Sequence, residues 1–248
     1  MVQRYAVLNI WVDDVTTQEV LDAVVDFVEK GSRVHTIFAS NPEKNFSVPQ
    51  DPILYEKFKK ADLLLPDGIG MVLAVKCLYG VRMERVTGIG TMQAICRLAA
   101  ERGYGVFIYG AKEEVNKAAV DNLGKMFPGL QIAGRAHGYQ PEDQMEALVQ
   151  RLNDSGAEIL FLALGSPKQE QWIARYEGRL EHVRVCQGIG GTLDVLAGKT
   201  KRAPLIFRRL GLEWLYRLVT EPKRWKRQKV YPVFAGQVLW AKMKKFFW

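Results

Sequence analysis

Apolar segments of strand length alternate with amphipathic stretches of helix length along most of this chain, and few folds accept that rhythm. From residue 105 onward it is regular. Gly105–Tyr109, Leu130–Ala136, Glu158–Leu164 and Val183–Gln187 read as strands, with Glu113–Met126, Pro141–Asn153 and Pro167–Tyr176 as the helices between them. Upstream, Tyr5–Val12 reads as one buried strand. Thr16 and Glu19 carry a capping-box pattern that opens a helix with Val20, Leu21, Val24, Phe27 and Val28 on one face, closed by Gly31. Val34–Ala39 is a second strand, followed by Ser40-Asn41-Pro42. A short helix near Pro52–Lys60 precedes the strand Leu63–Leu65, which ends at Pro66-Asp67-Gly68. Helical segments over Met71–Tyr79 and from Thr91 to about Arg102 complete the first half. Strands separated by helices imply βαβ units, so the expected fold class is α/β: a Rossmann-like, mainly parallel sheet with helices on both faces.

The rhythm stops near Lys199, and the charge changes there too. Residues 199–248 hold 14 of the 35 Lys/Arg but 2 of the 27 Asp/Glu, so the net charge of +8 belongs to the tail and residues 1–198 are mildly acidic. Four of the six tryptophans lie in the same tail. The division expected is an α/β core over 1–198 and a basic, aromatic, helix-prone appendage over 199–248. Basic amphipathic helices rich in tryptophan lie in membrane interfaces, where each Lys/Arg near an anionic surface contributes about 1 kcal/mol. Packing on its own domain or a neighbouring subunit, and nucleic-acid binding, are the rival readings. The membrane reading leads because the aromatics cluster with aliphatics. No stretch reaches the roughly 20 apolar residues of a spanning helix, and no signal peptide is evident. Cys77, Cys96 and Cys186 are scattered in apolar segments, the usage of a reducing compartment. The expected location is therefore cytoplasmic and peripheral to the membrane, with homo-oligomerisation left open.

Ligands of open parallel sheets bind beyond the carboxyl ends of the strands. The residues there are Ser40-Asn41, Asp67-Gly68, Gly110-Ala-Lys112, the 165–170 segment containing Gly165, Lys168 and Gln169, and Gly188-Ile-Gly190-Gly191 with Asp194 close behind. Glycine-rich turns opening onto helix N-termini suit phosphate groups, though each taken alone also reads as an ordinary βα turn. Asp67 is more specific. A carboxylate at a strand end can take a proton from an attacking hydroxyl, or it can simply cap the next helix. Asp194 likewise reads as a cap or an arginine partner. Gly88-Ile-Gly90 lacks the third glycine of a dinucleotide fingerprint and follows no clear strand. No aspartate-x-aspartate triplet occurs, so a metal clamp on a diphosphate is not expected; cations and helix dipoles are. No metal and no cofactor are assigned.

With these residues in view, the chain resembles the WecG/TagA/CpsF glycosyltransferase family from about Asn9 to Arg227. The matching pieces are Asn41, Leu65-Pro-Asp67-Gly68, Arg85-Val-x-Gly88, Gly165-x-Pro167-x-Gln169-Glu170 and Gly190-Gly191-x-x-Asp194. They continue through Ala197-Gly198, Arg202-Ala-Pro204, Glu213-Trp214-x-x-Arg217 and Glu221-Pro-x-Arg224-x-x-Arg227. The resemblance implies transfer of N-acetylmannosamine or a related hexose from a UDP-sugar to a polyprenyl-diphosphate-linked sugar, in teichoic acid or other surface-polysaccharide synthesis at the inner face of the bacterial membrane. It implies Asp67 as catalytic base, Asn41 and Gln169 in the pocket, and Arg217, Arg224 and Arg227 completing the site from the appendage. Two positions depart from the family pattern: Ala39 stands where threonine is common and Gly90 where an acidic residue is common. Both leave donor identity open. A nucleotide- or nucleic-acid-binding α/β module without catalysis is the alternative.

Overall fold

The computed structural model describes residues 2–209, 211–220 and 229–247. The segment expected as one strand over 5–12 is a hairpin, β1 (Gln3–Val7) and β2 (Ile10–Asp14), turning through Leu8-Asn9 with Leu8 at positive φ. An apolar run carries no mark of a turn that lacks glycine, which is why the sequence reads as continuous. The hairpin clasps the edge of the main sheet. Asp13, buried and paired with Arg4 at 2.6 Å, accepts the Leu64 backbone N–H at 2.8 Å, and Arg4 donates to the Ala61 carbonyl at 2.8 Å. An edge donor is thus satisfied by a side chain rather than left open to another strand.

Next come α1 (Thr17–Lys30), β3 (His35–Ser40), the short α2 (Lys44–Ser47), α3 (Pro52–Lys60), β4 (Leu63–Pro66), α4 (Ile69–Tyr79) and α5 (Gly88–Arg102). The capping box at Thr16 and Glu19 forms as expected. Helix α5 begins three residues earlier than the apolar pattern suggests, because Thr87 caps it by accepting the Gly90 N–H at 3.2 Å. After it follow β5 (Gly105–Gly110), α6 (Glu113–Met126), β6 (Gln131–Ala136), α7 (Met145–Asp154), β7 (Ile159–Ala163), α8 (Lys168–Tyr176), β8 (Val185–Gly188) and α9 (Thr192–Leu196).

Strands β3 to β8 form one wholly parallel sheet in the order β4-β3-β8-β7-β5-β6. The chain builds both flanks first and then fills the middle with β7 and β8. Successive strand residues feed opposite faces. Ile37, Leu63, Leu65, Ile108 and Phe161 pack toward α1, α5 and α6, whereas Phe38, Leu64, Tyr109 and Leu162 pack toward α3, α4, α7 and α8. Both faces being covered explains why these strands read as unbroken apolar runs. Gly110 is required by this packing: a Cβ there would lie 2.4 Å from the Ala163 carbonyl carbon.

The tail forms α10 (Leu205–Arg209), α11 (Glu213–Thr220) and α12 (Val230–Phe247). Helix α12 lies against α4, burying Phe234 and Val238 in the cluster that holds Met71, Ala74, Val75 and Leu78. Self-packing, one of the two rival readings of the tail, describes this face. The opposite face of α12 exposes Val233, Leu239, Trp240 and Met243, and α10 and α11 expose Leu205, Ile206, Leu215 and Val219. Among the described residues no helix is long and apolar enough to cross a membrane.

Candidate active site

The carboxyl ends of β3, β4, β7 and β8 open into one cavity of about 540 Å³. Ala39 and Asn41 enter it from the end of β3, Asp67 and Gly68 from β4, Gly165, Ser166 and Gln169 from the β7–α8 turn, and Gly188 to Thr192 from β8. Thr87, Gly88 and Ile89, at the start of α5, form a further wall. The segment around α2 adds Glu43, Lys44, Phe46 and Ser47, and the tail adds Gly211, Glu213 and Trp214 near the start of α11 and Val230 and Tyr231 at the start of α12. The Trp214 and Tyr231 rings stack with centroids 5.5 Å apart, and Glu213 pairs with Arg85 of the core at 3.4 Å.

Asp67 follows a fully buried strand, and its backbone N–H donates to the Ser40 carbonyl at 3.1 Å. The cap position of α4 belongs to Gly68, one residue on, so the helix-cap reading of Asp67 loses its place. Gly68 has φ +96, a conformation that side-chain-bearing residues rarely adopt. The turn therefore needs glycine there. A Cβ on Gly88 would stand 3.8 Å from Asp67 Oδ2 and 3.9 Å from Ala39 Cβ. The start of α5 thus comes close to both the Asp67 carboxylate and Ala39.

Asn41 turns part of its polarity inward: its Oδ1 accepts the Lys44 backbone N–H at 3.1 Å. Gln169 is buried and held on three sides. Its Oε1 accepts the Gly190 N–H at 3.2 Å, its Nε2 donates to Glu170 Oε1 at 3.1 Å, and Gly188 lies so close that a Cβ would fall 2.4 Å from Nε2. Glu170, fully buried, pairs with Lys44 at 2.6 Å, and Lys44 also donates to the Ser166 hydroxyl. The Lys44 ammonium stands 4.9 Å over the Phe58 ring. Among the described residues no three His, Cys, Asp or Glu side chains converge as metal ligands.

Of the residues singled out from sequence, Asn41, Asp67, Gly68, Gly165, Gln169, Gly190 and Gly191 meet in the cavity. Gly110, Lys168 and Asp194 lie outside its lining; Lys168 is exposed, and the Asp194 carbonyl accepts the N–H groups of Lys199 and Thr200. Arg224 and Arg227 lie outside the described residues, as does the Arg217 side chain, although its backbone belongs to α11. Sequence reasoning missed Lys44 and Tyr231 as lining residues, while Ser166 and Trp214 stood inside quoted segments without a role of their own. Glu170 and Arg85 were visible inside motifs but had been assigned no role. Lys44 gave no signal at all, since a lysine in a turn looks solvated until the fold buries it.

Fold and cavity together define an α/β protein with a candidate site at the carboxyl edge of a parallel sheet, where a carboxylate is set among glycine-rich turns. Comparison with known proteins says which kind. The chain belongs to the glycosyl transferase WecG/TagA/CpsF family, whose model matches residues 5–246, and it is a glycosyltransferase. It is 37% identical over 203 residues to the N-acetylglucosaminyldiphosphoundecaprenol N-acetyl-beta-D-mannosaminyltransferase of Bacillus spizizenii, covering 82% of this chain and 78% of that one. It is 33% identical over 226 residues to the enzyme of the same name from Bacillus subtilis, covering 88% and 86%. The Staphylococcus aureus enzyme of that name is 33% identical over 240 residues, covering 96% and 93%.

Proposed function

We propose that this chain transfers N-acetylmannosamine or a related hexose from a UDP-sugar to the sugar of a polyprenyl-diphosphate lipid, in one inverting step without a metal. The names of the relatives support a mannosaminyl donor and a diphosphoundecaprenol-linked acceptor. The observation that carries the reading is Asp67, placed at the end of β4 inside a cavity whose other walls are the glycine-rich ends of β7 and β8 and the capped start of α5. In this reading Asp67 accepts the proton of the acceptor hydroxyl as that oxygen attacks the anomeric carbon, and the C–O bond to the nucleoside diphosphate breaks on the opposite face. Backbone N–H groups of the turns, together with Arg217, Arg224 and Arg227 of the tail, balance the charge of the departing UDP.

The acceptor is tethered to a lipid, so the enzyme has to work at a surface. The exposed apolar face of α12, with Lys242 and Lys244 beside it, suits an anionic bilayer at the cytoplasmic side. Tyr231 lines the cavity from the same helix, so docking and the active site share one element.

The test is UDP release from a panel of UDP-sugars with and without a short-chain polyprenyl-diphosphate-GlcNAc. Release that depends on the acceptor, seen with one donor and persisting in EDTA, is the expected result. Asp67→Asn should lower turnover at least about 100-fold, the scale of lost general-base assistance. Near-wild-type turnover in that variant removes Asp67 from the role, and release abolished by EDTA removes the metal-free chemistry.

A further inference from the structure

We infer that Glu170, held by Lys44, is a positioning residue that sets which end of the Gln169 amide faces the bound nucleotide sugar; this rests on the function proposed above. An amide has two chemically opposite ends of nearly equal size, so its side chain can enter a site either way round. At Gln169 both ends are dictated. The Gly190 N–H can only donate, and it takes Oε1 at 3.2 Å. The Glu170 carboxylate can only accept, and it takes Nε2 at 3.1 Å. Gly188 leaves the room the amide occupies, since any Cβ there would overlap it. With one hydrogen of Nε2 given to Glu170, its second hydrogen remains for a ligand, and Gln169 lines the cavity. The group it meets must be an acceptor oxygen, as on a diphosphate or a sugar.

A buried carboxylate needs a cationic partner beside it. Lys44 is that partner at 2.6 Å, and it lies on α2, directly after β3. One hydrogen-bonded chain therefore joins the loops after β3, β7 and β8, running from Lys44 through Glu170 and Gln169 to Gly190. Glu170 Oε2 is buried and has no hydrogen-bond partner among the described residues. Only one of its oxygens is committed, and that one receives both Lys44 and Gln169.

Two measurements on the full-length protein test this. The first is the side-chain amide resonance pair of Gln169, assigned by its loss in Gln169→Ala. The carboxylate contact should hold one of its protons downfield in the wild type, and Glu170→Met should release it. The second is steady-state kinetics. Glu170→Met should raise the KM for the UDP-sugar about tenfold, the scale of one lost ligand hydrogen bond, with the acceptor KM unchanged. Glu170→Gln keeps an accepting oxygen in the same place and should return the donor KM to within about threefold of wild type. An unmoved Gln169 resonance in Glu170→Met, or an unchanged donor KM with only a lower maximal rate, overturns the inference and leaves Glu170 a packing residue. Should Glu170→Met fail to fold, Glu170→Gln decides alone: its weaker neutral acceptor must move the Gln169 proton upfield, and no movement overturns the inference. Absence of turnover in the wild type with every UDP-sugar would instead refute the proposed function, while the resonance test still judges the amide's orientation.

Discussion

Replacing Phe234 with alanine should loosen the last helix while leaving the sheet intact. Phe234 is 3% exposed and sits in the seam between α12 and α4, with Val238 one turn further along at 5%. Truncating a buried phenylalanine costs about 3–5 kcal/mol, from the lost burial and the cavity left behind. The side chain bridges α12 to α4, so that cost falls on the free energy of opening α12. Each 1.4 kcal/mol is about a factor of ten, so the opening equilibrium should rise roughly 150- to 4,000-fold. Hydrogen exchange read by mass spectrometry measures this directly. Amides of residues 234–244 should exchange faster by that factor, while those of β7 and β8 at the sheet centre should change little. Two results would refute the reasoning. Exchange in α12 already at the unprotected rate in the wild type would mean the seam contributes nothing, and acceleration equal in α12 and β7 would mean the tail does not open as a separate unit. Transfer should fall in the same variant, because Tyr231 lines the cavity from α12.

Two further predictions concern the core. Burial pushes the Asp62 carboxyl up, but hydrogen bonds from Arg33, the Thr36 N–H and His35, with the Arg33 charge, outweigh it and hold Asp62 below the usual carboxylate range. A carboxyl depressed in the folded state stabilises above its unfolded pKa of about 3.9, and that stability is lost as pH falls through the folded value. The gap between wild type and Asp62→Asn in urea midpoints should therefore be widest near neutral pH and shrink below about pH 4; a gap independent of pH would contradict the pairing. Burial also pushes the Cys96 thiol up to about 12 and raises that of Cys186 further, whereas Cys77 is half-buried. A maleimide at pH 7 should label Cys77 alone in the native protein and all three thiols after unfolding; native labelling of Cys96 or Cys186 would show the core opens more readily than its packing implies.

How much of this was legible beforehand varies with the kind of signal. Helix α1 was readable because its capping box and its apolar face are both local, and Glu113–Met126 came out to the residue. The hairpin at the amino end was not, because Leu8-Asn9 turns without glycine or proline inside an apolar run. The early start of α5 was hidden for a related reason: Gly88 and Gly90 look like loop, and only the Thr87 cap makes them the first turn of a helix.

By itself the sequence determined the fold class and offered five strand ends as candidates for a ligand site. Periodicity records burial on one or both faces, and the residue after an apolar run stands at a sheet edge wherever that strand lies. It therefore put Asp67, Gln169 and the glycines at the end of β8 near the carboxyl edge, where they line the cavity, without knowing their neighbours. The tertiary structure alone decided the strand order that brings β3, β4, β7 and β8 to one cavity while leaving Gly110 to packing. It alone buried Lys44 against Glu170, and it split the tail between a face on α4 and a face turned outward. These are contacts between segments far apart in the chain. No local pattern encodes them, because a lysine or an apolar stripe has the same sequence signature whether water, protein or lipid finally covers it.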